Sequence, residues 1–342
     1  MDNNAKIIAD AITSSLNIIE QDREKEIISR RFGLSGNKET LEQIGEMLSI
    51  TRERVRQLEK AIVIRLRIGA EENSIKDLTP AEKLLIRSLS ESGRVARISD
   101  LASRIYGHSA TIAERANISF LSSISTHLTI LAENDKYHES VAIADCGDEK
   151  KLRSRIDEVV SVIKNNKVPM TLSELDNCLN YEHPDHIKAI ASTSKLLANL
   201  GDLWGLAKWP TVNPRNIRDK IFVILEAKGE PMHFSDIATA IKESDFKRKD
   251  VTVQAIHNEL IKDSRFVLIG RGIYALDTWG FKKGTVSDSI VSILKEESPL
   301  SREEIVKRVL KTRKVKESTV LLNLQNKNLF EKSGKNTYRL KA

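Results

Sequence analysis

Thr40 with Gln43, then Gly45, a Ser49-Ile50 interruption and Thr51, restrict the possible folds more than any other stretch of this chain. A threonine followed three residues later by glutamine forms a capping box, in which the two side chains satisfy free amides at a helix start. The spacing predicts a helix from Leu41 through Leu48. Thr51 can cap a second helix, with Glu53 in its first turn, where the helix dipole favours a carboxylate. Helices joined by so short a turn must cross closely. Gly45 removes the side chain that would block the crossing, and Ile50, Val55 and Leu58 supply shared apolar contact.

Four-residue steps place Arg52 with Arg56, and Glu53 with Gln57, on the face turned away from Val55, Leu58 and Ile62. Each of those side chains has a partner in the DNA major groove. Arginine bonds O6 and N7 of guanine, glutamine bonds N6 and N7 of adenine, and a carboxylate accepts from N4 of cytosine, each good pair discriminating by roughly 1–3 kcal/mol. Thr40, Arg54, Lys60, Arg65 and Arg67 lie nearer the edges and suit phosphates, which fix register without reading sequence. The competing reading is a solvated helix laced with Glu and Arg pairs. The capping box, Gly45 and the apolar triplet together favour the DNA reader.

Arg23 to Leu34, then Thr40-Leu41-Glu42-Gln43-Ile44-Gly45, then Thr51 to Glu59, resemble in order region 4 of the bacterial housekeeping sigma factors. The resemblance implies that the second helix reads a −35 promoter element. Arg52, Glu53 and Gln57 would stand at the base-contacting positions, and Thr40, Arg54 and Arg56 on the backbone. It further implies that the Arg23 to Leu34 segment docks on the flap of RNA polymerase, with Ile27, Arg31 and Phe32 as the docking residues. The match runs only from about Arg23 to Arg67. Where complete sigma factors carry the domain that grips the polymerase clamp and melts the −10 element, only the helix-like Asn4 to Gln21 precedes region 4 here. Recognition of a −35-like site is expected without melting by this chain alone.

A chain of 342 residues exceeds one typical domain, and its thin 5% aromatic content fits several small domains better than one large one. Net charge is +7, and residues 286–342 alone carry an excess of +6, so the basic character is concentrated at the C-terminus. That balance suits a polyanionic partner. Cys146 and Cys178 are too few for a disulfide framework, and no apolar run approaches the length of a bilayer span. A cytoplasmic, nucleoid-associated protein is expected, with no membrane contact.

Beyond residues 71–80, which read as a polar linker leading to a helix start at Thr79-Pro80-Ala81-Glu82, the chain repeats. Each unit has an apolar helix, a break, two further helices and a strand pair closed by a polar turn, the order of a winged helix. The expected fold is mainly α: a helix-turn-helix domain over residues 1–70, then winged helices over 81–145, 151–210, 215–283 and 286–342. The third is clearest. Ile217, Ile221, Ile224 and Leu225 make one helical stripe, Gly229-Glu230-Pro231 breaks it, and Ser235 can cap the next helix. A third helix should run from Thr252 to Lys262, and strands Phe266 to Ile269 and Ile273 to Leu276 flank Gly270-Arg271-Gly272. Pro231-Met232-His233-Phe234, Asp263-Ser264-Arg265-Phe266 and Gly270 to Leu276 resemble the HARE-HTH winged helix, a family that includes the N-terminal domain of the RNA polymerase delta subunit. Trp204, Trp209 and Trp279, at unit ends, should pack each wing on its core.

In the last unit, Lys311, Arg313, Lys314 and Lys316 precede the third helix, while Lys332, Lys335 and Arg339 sit on the wing, a layout that suits a phosphate backbone or, equally, a solvated basic surface. The nearly charge-balanced Arg215 to Lys283 unit also suits a protein partner. Chemistry is not expected. Cys178, His183 and His186 lack a fourth metal ligand, and Asp219, Glu226 and Lys228 fall in one helix rather than on the adjoining strands a nuclease needs. No phosphate loop or nucleophile set is present, so no catalytic residue, metal, cofactor or small-molecule substrate is expected. The sequence describes a DNA-binding transcription protein whose partners are double-stranded promoter DNA and RNA polymerase core. Two alternatives are a polymerase-associated scaffold that binds mainly protein and a specificity subunit of a restriction or defence system.

Overall fold

The computed structural model describes residues 3–179, 181, 184–246, 250–281 and 283–341. The chain divides into two compact units, Met1–Lys208 and Trp209–Ala342. Among the described residues, α-helices dominate, and each of the four small sheets is three-stranded and antiparallel. No helix among the described residues is long and apolar enough to cross a membrane.

The first unit opens with α1 (Asn3–Asn17), α2 (Asp22–Phe32), α3 (Leu41–Leu48) and α4 (Arg52–Glu71). Asp22 and Glu24 begin α2 and Arg30 and Arg31 end it, complementing its dipole, before Gly33 turns the chain left-handed at φ 79°. Then come α5 (Leu78–Ser90), β1 (Val95–Arg97), α6 (Ile98–Tyr106), α7 (Ile112–Ile124), β2 (Leu128–Leu131) and β3 (Ser140–Ile143). The order repeats in α8 (Glu149–Asn166), β4 (Met170–Thr171), α9 (Leu172–Leu179), α10 (Pro184–Thr193), β5 (Leu197–Leu200) and β6 (Leu203–Leu206).

The second unit holds two more repeats. One comprises α11 (Ile217–Lys228), β7 (Met232–His233), α12 (Phe234–Glu243), α13 (Val253–Lys262), β8 (Phe266–Gly270) and β9 (Ile273–Leu276). The other comprises α14 (Val286–Glu296), β10 (Leu300–Ser301), α15 (Arg302–Thr312), α16 (Glu317–Leu324), β11 (Phe330–Gly334) and β12 (Thr337–Leu340). In every repeat the last strand lies between the other two, and this is winged-helix topology. The first strand, absent from the sequence reading, is only two or three residues long and gains its partner from the distant wing, as in Met232↔Tyr274.

Three local expectations change. Asp77, not Thr79, precedes α5, and Pro80 stands in its first turn, where a missing amide costs nothing. His233 caps α12 by accepting from the Ser235 amide, so Ser235 lies inside the helix. Most consequential is the segment read as a linker over residues 71–80, whose Ile75 and Leu78 are buried in one core with Ile8, Ile28 and Ile62 on one side and Leu85, Leu101 and Phe120 on the other. The helix-turn-helix and the first winged helix are therefore built on shared apolar contact. Phe32 meets Phe120 edge to face at 5.2 Å, and the Arg67 Nε donates to the Ser123 carbonyl at 2.7 Å.

The second winged helix is joined to the first by backbone bonds, His138 N–H to Thr193 O and Lys195 N–H to Lys136 O, each 2.8 Å. The Tyr137 hydroxyl donates to Asp157 at 2.8 Å, and burial, first, with that carboxylate pushes the phenol up to about 12. A phenol raised in the fold stabilises it fully below its ordinary range near 10, and that contribution fades as pH rises toward 12. Ultraviolet titration should accordingly find Tyr137 ionising late, and Asp157→Asn should bring it earlier. In the second unit, the Lys314 amide donates to Ile269 O at 3.1 Å, tying the loop before α16 to β8. Trp204 is buried, and Trp279 packs on Val267, Ile269 and Ala275.

Candidate nucleic-acid interface

The expected helix pair forms, with the capping box at its start. Gln43 N–H donates to Thr40 Oγ1 at 3.3 Å, and Thr40 N–H donates to Gln43 Oε1 at 2.8 Å. Ser49 ends α3 in the left-handed region at φ 54°, and Thr51 Oγ1 caps α4 by accepting from the Arg54 amide at 3.2 Å. At the crossing, a Cβ on Gly45 would stand 2.7 Å from the Ile50 carbonyl oxygen, closer than side-chain carbons approach backbone. Gly45→Val should therefore cost about 1–3 kcal/mol by overpacking. Thermal unfolding would measure it, and an unchanged midpoint would mean the turn relaxes freely.

Ile27, Ile44 and Val55 form a fully buried cluster beneath the crossing, edged by Leu41, Leu48, Ile50 and Leu58. Their burial fixes the rotation of α4. With Val55, Ile62 and Leu66 inward, Arg52, Glu53, Arg54, Arg56, Gln57 and Lys60 are all exposed. Thr40 is exposed beside them at the start of α3.

These side chains hold one another. Arg52 Nη1 lies 2.7 Å from Glu42 Oε1, across the turn. Arg56 grips Glu53 with both prongs of its guanidinium, Nε at 2.8 Å and Nη2 at 2.7 Å. Gln57 Nε2 reaches Glu53 Oε1 at 3.5 Å, and Arg54 Nη1 reaches Gln57 Oε1 at 3.5 Å. The sequence reading missed Glu42. Its position in the first turn of α3 was the available signal, since the tight turn brings that helix end against the start of α4.

The Arg56 hydrogen bond, above the other causes, holds the Glu53 carboxyl below its ordinary range. A carboxyl lowered in the fold favours the folded state above its ordinary range and loses that contribution as pH falls through the lowered value. Carboxyl NMR should find Glu53 titrating below an ordinary glutamate, and Arg56→Ala should return it upward. An unchanged midpoint would mean that the grip is absent in solution.

Several residues expected at the surface are committed elsewhere. Ile27, assigned to polymerase docking, is fully buried under the helix crossing, and Phe32 is half-buried against Phe120. Arg31 is paired with Glu59 at 3.1 Å and donates to the Glu39 carbonyl at 3.3 Å. Ile28 faces the opposite core from Ile27, so α2 is enclosed on two sides. The triplet Ile27, Arg31 and Phe32 is thus not a free docking face. Arg65 is paired with Glu24, and Arg67 donates to the Ser123 carbonyl, while both remain exposed.

In the last repeat, Lys332, Lys335 and Arg339 are exposed on the wing, but Arg339 is paired with Glu331 across the hairpin. Lys332 Nζ lies 5.9 Å from the Tyr338 ring centroid. A cleft beside the wing carries Lys327, Lys332 and Lys341 with Tyr338 and Phe330. Arg313 is buried and donates to Ser289 Oγ at 2.6 Å and to Gly284 O, so it leaves the expected basic row.

Of the weighed metal ligands, His183 lies outside the described residues and Cys178 is an exposed free thiol. His186 is buried with Nδ1 2.8 Å from Gly93 O and Nε2 3.3 Å from Arg155. It works as a structural pin at the junction of two winged helices. Asp219 binds Arg265 at 3.3 Å and shares one helix with Glu226 and Lys228, which leaves no strand-borne carboxylate pair there.

A comparison with known families assigns this same region. Residues 21–67, which hold α2, α3 and most of α4, match the family Sigma-70, region 4, so the chain carries a DNA-binding helix-turn-helix related to the promoter-recognition module of sigma factors.

Proposed function

We propose that the protein recognises a −35-like promoter element through α4 and acts in, or regulates, transcription initiation with RNA polymerase, without catalysing a reaction. Arg52, Glu53 and Gln57 read base edges. Thr40, Arg54, Arg56 and Lys60 contact phosphates. The observation that carries the reading is the exposed polar row on the first two turns of α4, its rotation set by buried Val55 and Ile62, inside the segment matching sigma region 4.

Charge supports double-stranded DNA as the partner. The wing lysines Lys332 and Lys335 extend the electrostatic contact. Polymerase association rests on the family likeness, and the enclosure of Ile27 and Phe32 argues that any such contact uses a surface other than that triplet. The same enclosure disfavours a scaffold that docks through α2. The Arg215 to Lys283 unit we assign to the HARE-HTH type on its motifs, as an accessory module.

Fluorescence anisotropy with a duplex carrying TTGACA, against a scrambled duplex across a salt series, tests the reading. A preference of about a thousandfold at physiological salt is expected. Equal, steeply salt-dependent binding to both duplexes would replace sequence recognition with general DNA coating.

A further inference from the structure

The third helix of a winged unit has a different fate from one repeat to the next. In α7 every residue from Ile118 to Ile124 is buried, and in α10 Ile187, Ala189, Ile190 and Ala191 are buried. Their exposed residues are few, Ile112 and Arg115 at the start of α7 and Asp185 and Lys188 among the described residues of α10, and neither helix presents an exposed pair of amide side chains. By contrast, α13 is covered only along Ile256 and Leu260, and Gln254, Asn258, Ile261 and Lys262 are exposed on its outer side.

The chemistry of that side is specific. Gln254 Nε2 donates to Asn258 Oδ1 at 3.0 Å, one turn along the helix. The bond leaves the Gln254 carbonyl as an acceptor and the Asn258 amide as a donor, side by side. Adenine offers the complement in the major groove, an N6 donor next to an N7 acceptor. Ile261, 64% exposed, stands one turn beyond Asn258, where an apolar side chain suits the thymine methyl. Along α13 itself no exposed carboxylate opposes a phosphate approach, and Asp250 is exposed just before the helix. Glu259, the only acid on the helix, is half-buried and paired with Arg218 at 3.5 Å. Lys262 at the helix end and Arg271 at the wing turn are exposed cations.

We infer that α13 is a second sequence-reading helix, which takes the major groove at A·T pairs through Gln254 and Asn258, with Ile261 against thymine methyls. The inference goes beyond recognition by α4 and does not depend on it.

The test is selection of the full-length protein on a pool of duplexes randomised over their central stretch, followed by sequencing. Three proteins are compared: the unaltered chain, Arg52→Ala with Gln57→Ala, and Gln254→Ala with Asn258→Ala. All four side chains are exposed, and matching far-ultraviolet circular dichroism verifies that the variants fold. The unaltered chain should enrich two sequence blocks. The first variant should lose the −35-like block, and the second should lose an A·T block, its enrichment falling about tenfold or more. A −35-like block alone, unchanged by Gln254→Ala with Asn258→Ala, would overturn the role of α13 and leave that of α4 standing. An A·T block alone would do the reverse, and no enrichment at all would overturn both.

Discussion

Alanine at both Arg52 and Gln57 is expected to reduce the preference for a TTGACA duplex over a scrambled one by at least about 2 kcal/mol, roughly thirtyfold. Affinity for the scrambled duplex should change far less, because Thr40, Arg54, Arg56 and Lys60 remain to meet phosphates. The two losses differ in kind. Removing Arg52 also frees Glu42, which then faces DNA without its 2.7 Å partner, so Arg52→Ala alone should weaken binding to every duplex more than Gln57→Ala alone. Anisotropy titrations of the single and double variants would separate these effects. Full retention of preference in the double variant would remove α4 as the reading helix.

Phe120→Ala is expected to destabilise the first unit by about 3–5 kcal/mol, the cost of emptying a large buried aromatic site. Phe120 is fully buried, and it belongs to the core that contains Ile28 and Ile62 from the helix-turn-helix together with Leu85 and Leu101 from the first winged helix. Its edge-to-face contact with Phe32 joins the two modules directly. Urea unfolding followed by far-ultraviolet circular dichroism should lose both modules in one earlier transition, and affinity for the −35-like duplex should fall at urea concentrations the unaltered chain tolerates. A loss below about 1 kcal/mol, or a helix-turn-helix that melts separately from α5 to α7, would mean that the shared apolar contact is not a cooperative core.

The packing of α2 differs from what the sequence implies. The resemblance to sigma region 4 led us to expect α2 as a docking surface. Here Ile28 and Phe32 pack into the same core that buries α7 from Ile118 to Ile124. The first winged helix is thus a buttress for the helix-turn-helix. Of the third helices compared, α13 keeps the amide pair Gln254 and Asn258 exposed, which α7 and α10 do not, and the inference of a second reading surface rests on that difference.

Local physics alone settled a large part of this protein. The capping box at Thr40 and Gln43, the need for glycine at 45, the cap at Thr51 and the inward stripe of Val55 and Ile62 are all relations between residues within a few turns, and each was legible from spacing. The repeat of helices and wings was legible for the same reason, since apolar period and turn residues are local signals. What tertiary structure decided was everything set by distant partners. The two-residue strand Met232–His233 exists only because Tyr274 and Ile273 pair with it. Ile75 and Leu78 looked like linker residues until α1, α4 and α5 enclosed them. Ile27 and Phe32 were expected as docking residues from the family resemblance, and Arg67 and Arg313 as phosphate contacts from charge, but each found a partner contributed by another part of the chain. Spacing specifies which way a side chain points from its own helix, whereas its availability to a ligand depends on which other element packs over it.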